Sequence, residues 1–291
     1  MNLSSPSPAQ IEAIERGGEW PPGLLDAAVP LLPKQGVSAA QGGPLKQRPI
    51  TVASLWYRLY ASLRCRDLVP WMREWCDPSL RGGIPGGETR DITVELGLNL
   101  EEAEIDGAAL FGVNIDTEKC YDAQVREILF EAARRMGAPD GLVGAQLRFY
   151  AGLQRAFRYG RSVGGWWGSQ TSVLQGCALS QVWISLVTTL WCRAVRAAVP
   201  SIRLHGFIDD RSMTDRNPAA VQGALDVTAC YDRATGQRTA PAKSGGWTSS
   251  RTRWARRTVE AFNILGVPVR RVLLDKLLGV GYQYSGGRRR P

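Results

Sequence analysis

Residues 205–212 read HGFIDDRS. A short apolar approach, Gly206-Phe207-Ile208, runs into two adjacent carboxylates, Asp209 and Asp210, and then into Arg211. Like charges side by side at the end of a buried strand repel unless something compensates them. Two readings fit. Asp is favoured in turns because its side chain hydrogen-bonds nearby backbone, so the pair closes a hairpin. Alternatively, the two carboxylates hold a divalent cation, which prefers oxygen ligands.

The rest of the chain narrows the choice. Its 291 residues suffice for one large domain or two small ones with a sizeable core. With 44% hydrophobic and 22% charged residues, the composition is that of a soluble globular protein. The opening MNLSSPSPAQ is polar and lacks the apolar core of a signal peptide. The most apolar run, VWISLVTTLWC at 182–192, ends at Arg193 and is too short to span a bilayer, so no membrane partner is expected. Six scattered cysteines, no C-x-x-C pair and a single histidine, His205, exclude a zinc site and a secreted disulfide framework. They point to a reduced, intracellular protein whose chemistry, if it is an enzyme, rests on carboxylates, Lys and Arg.

The net charge of +9 is unevenly placed. Residues 1–200 hold 20 basic and 20 acidic side chains, whereas 201–291 hold 16 and 7. The excess is densest in RTAPAKSGGWTSSRTRWARRTV (238–259), with six positive charges, no acid and two tryptophans. Cations interleaved with aromatics suit a nucleic-acid strand, whose phosphates need charge and whose bases need flat partners. A solvated helix face is the other reading of such a run.

Residues 1–43 are rich in Pro, Gly and Ser and predict an irregular segment containing one apolar piece, LLDAAVPLLPK. From Val52 to about Cys76, Leu55, Leu59, Leu63 and Leu68 recur at helical spacing, with Trp56 and Tyr60 between. RGGIPGGET (81–89) is a glycine-rich loop, after which Glu88 or Thr89 starts a helix to about Ile105. ALFGVNID (109–116) is a strand ending in a carboxylate. A helix over 122–137 follows, with Val125, Ile128, Leu129, Ala132 and Met136 on one face and Gly137 as its stop. Residues 139–153 predict a further helix, and 155–168 a hairpin around Gly160. LQGCAL then opens a long apolar helix to about Ala198. SIRLHGFI (201–208) is a second strand ending in carboxylates, followed by a helix at 218–235 and a last strand pair, VPVRRVLL and LLGVGYQY. Strands interrupted by helices of varied length predict an α+β fold with a small, mostly antiparallel sheet packed on helices.

Asp116 ends one strand just as Asp209 ends another. Adjacent strands would bring Asp116, Asp209 and Asp210 to one sheet edge, where their mutual repulsion calls for cations. Two Mg²⁺ ions about 4 Å apart clamp the attacking and leaving oxygens of a phosphoryl transfer. Asp116 also has a bland reading as an N-cap, although Asp122 is better placed for that.

These residues resemble a reverse transcriptase of the kind found in non-long-terminal-repeat retrotransposons and group II introns, over roughly residues 30–285. VPLLPKQG with KQRPITV resembles the fingers motif that holds the incoming triphosphate, which implies that role for Lys34 and Arg48. RGGIPGGETRDI resembles the template-contacting segment, here Gly82 and Gly83. NIDTEKCYD and FIDD resemble the two acidic palm motifs, making Asp116 and Asp209 the main metal ligands and Asp210 an accessory one, with Phe207 beside the primer. SVLQGCALSQ resembles the glutamine-glycine motif, so Gln175 and Gly176 would line the nascent base pair. TGQRTAPAKS implies Lys243 near the pyrophosphate, and KLLGVGYQ implies a primer grip at Leu278 and Gly279. Tyr121, five positions after Asp116, is the aromatic that would exclude a 2′-hydroxyl and so select deoxynucleotides.

The chain departs from the pattern in places. Phe207 stands for the commoner Tyr, Leu174 and Gln181 for prolines, and Arg211 follows the acidic pair, where pairing with Asp210 would weaken metal binding. The resemblance implies right-hand polymerase fingers (1–107) and palm (108–291), with the helical thumb absent after the primer-grip hairpin. It implies RNA-templated DNA synthesis with two Mg²⁺ (or Mn²⁺), an RNA template, a DNA or RNA primer and dNTPs. The alternatives are an RNA-dependent RNA polymerase and an inactive fragment that binds RNA.

Overall fold

The strand expected at 109–116 forms at Phe111–Ile115 and becomes the centre of a five-stranded sheet. The computed structural model describes residues 7–33, 47–278 and 280–284. In chain order the elements are α1 (Pro8–Glu15), β1 (Asp26–Pro33), β2 (Gln47–Pro49), α2 (Leu55–Asp67), α3 (Val69–Trp75), α4 (Thr89–Ile105) and β3 (Phe111–Ile115). Then come α5 (Arg126–Arg135), α6 (Asp140–Gly152), β4 (Gln154–Tyr159), β5 (Ser162–Val163) and α7 (Ala178–Ala198). The last part holds β6 (Arg203–Phe207), β7 (Asp210–Asp215), α8 (Pro218–Thr235), β8 (Gly245–Thr248) and α9 (Arg253–Glu260). It closes with β9 (Asn263–Ile264), β10 (Val267–Pro268), β11 (Arg270–Arg271), β12 (Leu274–Leu277) and β13 (Val280–Gln283). The chain forms two compact units, one from Met1–Glu74 with Gln124–Trp183, the other from Trp75–Ala123 with Ile184–Pro291.

The first unit carries the sheet β2-β1-β4-β5, in which β1 and β4 run parallel from Asp26↔Gln154 to Pro30↔Arg158. The apolar piece expected to be irregular is therefore strand β1. It is preceded by helix α1, whose Ser7 cap and Gln10 form a reciprocal capping box. Helix α2 forms at the expected place but turns its other side inward. Tyr57, Tyr60 and Ala61 are buried, while Leu55, Leu59 and Leu63 are exposed. The tyrosines win because they complete an aromatic cluster: the Tyr57 ring stacks on Phe149 at 3.5 Å, and Trp20 packs edge-on to both. Tyr57 also donates its hydroxyl to Gln146 Oε1 at 3.1 Å, satisfying a buried polar tip that leucine lacks. Helix α5 begins at Arg126, four residues later than expected, because 118–123 are taken up by a turn in which Lys119 has φ +47°. Its N-cap is Val125, so Asp122 does not cap it. Its buried face is Arg126, Leu129, Phe130 and Ala133, and Ile128 is exposed.

The second unit is built on the sheet β11-β8-β3-β7-β6, antiparallel except for the β11–β8 pair. One face packs on α7, α8 and α9 through Phe111, Val113, Ile115, Trp191, Val195, Met213, Leu225 and Val259. The other packs Trp247 with Ile92, Leu96 and Leu110. Gly112 in the central strand is required by this second layer. A Cβ there would lie within 2.8 Å of the Trp247 ring, which instead crosses the strand and stacks on Tyr284 at 4.1 Å. Helices α4 and α8 form where expected, α8 between its Asn217 cap and a left-handed Gly236. Strand β8 lies inside the basic stretch, where no strand was anticipated, and helix α9 forms in the same stretch, for which a helix face was one of the two readings. The final hairpin pairs β12 with β13, from Leu274↔Gln283 to Leu277↔Val280, rather than VPVRRVLL with LLGVGYQY. Helix α7, with 21 residues, is long and apolar enough to cross a membrane, and most of it is buried within the protein.

Candidate active site

The central pairing β3–β7 runs from Phe111↔Asp215 to Ile115↔Arg211, and β6–β7 closes at Phe207↔Asp210. These two registers place Asp116, one residue beyond β3, beside the turn that joins β6 to β7. That turn is Ile208-Asp209. Thr117 Oγ1 donates to the Asp209 carbonyl at 3.4 Å, tying the two acidic segments together. The first reading of HGFIDDRS, a hairpin closed at the acidic pair, is what the strand registers show, and the segment that carries Asp116 lies beside it.

The hairpin is strained. Ile208 has φ +60°, a left-handed conformation that a β-branched residue adopts only at a cost of about 1–3 kcal/mol. A two-residue hairpin with φ above zero at its first loop position normally has glycine there. Here the surroundings hold the turn. Thr188 Oγ1 donates to the Ile208 carbonyl at 3.0 Å, and the segment before Gly82 covers the β6 edge. Gly206 N–H donates to Ser79 O and Arg81 N–H to Gly206 O, each at 2.9 Å. Gly82 lies flat under the turn: a Cβ on it would sit 2.7 Å from the Phe207 carbonyl carbon. Gly83, at φ +75°, continues the loop.

Asp116 is held by a second clip that sequence patterning does not reveal. Ala240 N–H donates to the Asp116 carbonyl at 2.9 Å, and Glu118 N–H donates to Arg238 O at 2.7 Å. Asp116 N–H in turn donates to the buried Ser244 Oγ at 3.2 Å. The clip brings Lys243 round so that its Nζ stands 3.6 Å from Asp116 Oδ2, both side chains remaining well exposed. Asp210 keeps an exposed edge, yet desolvation by its neighbours, and then the charges of Asp209 and Asp116, push its carboxyl up to about 6. Asp210 therefore feels the charges of both Asp209 and Asp116.

Among the described residues, no three His, Cys, Asp or Glu side chains draw close enough to hold a metal ion between them. The donor set still suits Mg²⁺, which is commonly bound through one or two carboxylates completed by water and substrate phosphates.

Arg211 does not pair with Asp210. Strand alternation turns its side chain to the opposite face, where it is buried, donates from Nη1 to Asp232 Oδ1 at 2.7 Å and from Nη2 to Gln237, and lies 5.2 Å from the Trp191 ring centre. Phe207 and Leu278 pack on the same apolar cluster as Trp247 and Tyr284, so the two hairpins share a floor. Tyr121 is half-buried in the turn after Asp116. Lys34 and Gly279 lie outside the described residues. Arg48 is exposed on β2 opposite Leu32. Gln175 is half-buried and Gly176 has φ +100° in the turn entering α7. These last three residues belong to the first unit, whereas Asp116, Asp209, Asp210, Lys243, Gly82, Phe207 and Leu278 share the second.

The raised Asp210 value has a consequence for stability. Between the ordinary carboxylate value of 3.8 and about 6, the folded state binds more protons than the unfolded chain. The associated stabilisation is complete below the unfolded value and is lost as pH rises through about 6. Asp210→Asn removes that loss. Discounted for the exposed edge of the group, the gain is about 1 kcal/mol, or ~2–4 °C in Tm at pH 7.5, shrinking to nothing near pH 4. Paired thermal melts across this range, without divalent ions, check it.

No protein-family model matches the sequence, and no curated protein matches it. Its fold, however, is found among solved structures. The chain is similar to telomerase from Candida tropicalis truncated from the C-terminal domain, in its apo form, at a TM-score of 0.59 and 12% identity, covering 94% of this chain and 56% of that one. It is similar to Candida tropicalis telomerase in complex with a TWJ fragment of telomeric RNA, at 0.60 and 11%, covering 94% and 47%. A third likeness, at 0.57 and 10%, covering 90% and 47%, is to Candida albicans telomerase with a TWJ fragment of telomeric RNA. The chain spans about half the length of these structures. At such identities the likeness is one of fold: a mixed α/β chain, with small sheets on helices, resembling telomerase, a member of the reverse transcriptase family.

Proposed function

We propose that this chain is a reverse-transcriptase domain that extends a primer along an RNA template, with fingers in 1–107 and palm in 108–291. The observation that carries the reading is the meeting of Asp116 with the strained Asp209-Asp210 turn, where the charges of Asp116 and Asp209 bear on Asp210. A fold shared with telomerase supports it, as does the RNA bound in two of those telomerase structures. In the reaction, the primer 3′-oxygen forms a bond to the α-phosphorus of a dNTP, the bond from that phosphorus to the β-phosphate bridge breaks, and pyrophosphate leaves. Positioning and charge neutralisation, rather than covalent chemistry by the protein, govern such a transfer.

Asp116 and Asp209, with Asp210 as accessory, are the residues that would hold two Mg²⁺ or Mn²⁺ ions. Bound there, such ions would supply Lewis-acid stabilisation of the attacking and leaving oxygens. Lys243 stands 3.6 Å from Asp116 in the free protein and is assigned to the leaving phosphates, a role open to it when cations hold that carboxylate. Arg48 and Lys34 are assigned to the triphosphate, and Gln175 and Gly176 to the nascent pair. Gly82 and Gly83 are assigned to the template, and Phe207, Leu278 and Gly279 to the primer. Tyr121 sets the sugar, because a ring packed under the ribose leaves no room for a 2′-hydroxyl.

The test is extension of a labelled primer on an RNA template with Mg²⁺ or Mn²⁺, comparing dNTPs with NTPs. Incorporation of dNTPs that stops on chelation is expected. Incorporation of NTPs alone would make the chain an RNA polymerase, and no incorporation under any condition would make it a binding fragment. Tyr121→Ala is expected to narrow the preference for dNTP over NTP by about 10–100-fold, equivalent to ~1.4–2.7 kcal/mol, chiefly through faster NTP use. An unchanged ratio would remove Tyr121 from the sugar pocket.

A further inference from the structure

Helix α9 stands apart from the carboxylate site. Its Trp254 packs edge-on against Phe111 at 5.6 Å, at the start of β3, while Asp116 follows the end of that strand. Five residues of extended chain separate the two by about 17 Å. The helix reads RWARRTVE, and Ala255 and Val259 supply its buried face against the sheet. The remaining positions turn Arg253, Arg256 and Arg257 outward, next to a Trp254 that is 61% exposed, with exposed Arg251 leading in.

None of these four guanidinium groups makes an ion pair or hydrogen bond with another described residue. The nearest acid along the helix, Glu260, is taken by Arg271 at 3.3 Å. Cations at i, i+3 and i+4 repel one another, and cations in the first turn oppose the helix dipole, so the fold gains nothing from this arrangement. Of the other members of the basic stretch, Trp247 is buried under Tyr284, Lys243 is paired with Asp116, and Arg238 is exposed in the clip beside Asp116. Arg251 also lines a groove whose far side carries Glu101 and Glu104, and their charges keep an anionic strand on the helix face rather than in that groove.

We propose that this face of α9 binds single-stranded nucleic acid, with phosphates along Arg251, Arg253, Arg256 and Arg257 and a base stacked on Trp254. A strand offers the two things the face presents partners for, repeated anionic charge and a flat ring. A membrane surface would need an apolar helix face, and here that face is spent on the sheet. This site stands on its own residues and does not depend on polymerase chemistry.

The test is fluorescence anisotropy of the full chain with a labelled oligo-U RNA of about 20 nucleotides, titrated from about 50 to 300 mM KCl. For the triple variant R253Q/R256Q/R257Q, the log affinity versus log salt slope should become shallower by about 2, from three contacts at about 0.7 each on a single strand. Affinity near 0.15 M salt should fall about 50-fold by the same relation. Trp254→Ala should weaken binding by about 5–100-fold without changing the slope, and Trp254→Phe should retain most of the affinity. Thermal melts establish that each variant is folded. Oligo-dT measured in parallel tells template RNA from product DNA, and tighter binding of either upholds the site. Triple-variant binding with unchanged slope, or Trp254→Ala with unchanged affinity, would overturn it. So would phosphatidylserine vesicles or polyglutamate that compete as well as RNA, charge for charge. The Asp116→Asn chain should keep the whole α9-dependent increment, so failure of extension and failure of this surface are separately readable.

Discussion

Replacement of Asp116 by Asn should lower primer extension by about 10³-fold or more, which corresponds to ~4 kcal/mol of lost transition-state stabilisation. The substitution is nearly isosteric. The clip that holds residue 116 uses its backbone, with Ala240 N–H donating to its carbonyl and its own N–H donating to Ser244 Oγ, so the local geometry survives. The Lys243 ion pair is lost, but both partners are exposed, and such a pair is worth about 0–1 kcal/mol. What disappears is a negative charge and a hard oxygen donor facing Asp209 and Asp210. Binding of RNA should stay within about 3-fold of the parent, because a carboxylate contributes nothing to phosphate attraction. A second effect comes with it: relieved of one neighbouring charge, Asp210 should lose its proton at a lower pH than in the parent, narrowing the pH window of its effect on melting. Extension persisting near the native rate would remove Asp116 from the chemistry, whatever the binding data show.

The parts legible from sequence are those whose cause is local. Helix α8 begins after Asn217, has Pro218 at its first position and stops at left-handed Gly236, three signals that act within the helix itself. The two acidic strand ends were visible because an apolar run stops at a carboxylate in each. Strand β8, by contrast, is four residues, GGWT, with no alternation to announce it. It is a strand because β3 and β11 flank it, and because Gly112 leaves room for Trp247. The outward leucines of α2 follow the same logic: a helix has only one inside, and aromatic partners on other segments chose it. Ser244 and Lys243 reach Asp116 from 127 or more positions away, and no local pattern encodes that approach. Nor does spacing state which face Arg211 takes until β7 is paired on both sides.

That face makes Arg211 the residue whose loss should cost most in stability. Arg211 is 2% exposed, and Asp232 and Gln237, which accept its hydrogen bonds, are each 4% exposed. Asp232 also accepts from Thr239 Oγ1 at 2.5 Å, and Thr239 bridges to Thr117 in the clip beside Asp116. Arg211→Met leaves the Asp232 carboxylate buried with only a hydroxyl to face it. Removing one member of a buried pair typically costs about 3–5 kcal/mol. The midpoint of chemical denaturation should fall accordingly, and Tm by about 10 °C. The double variant, Arg211→Met with Asp232→Leu, removes the stranded charge and should recover most of the loss, because well-packed apolar pairs replace buried ion pairs at little cost. A single variant as stable as the parent, or a double variant no better than the single, would mean that the pair is not a coupled buried unit. Since Thr239 belongs to both the Asp232 network and the Asp116 clip, the double variant also separates stability from catalysis. If it regains the parent's melting temperature but extends primers slowly, the buried cation is a positioning residue for the carboxylate site, acting through Thr239 from the far face of the sheet.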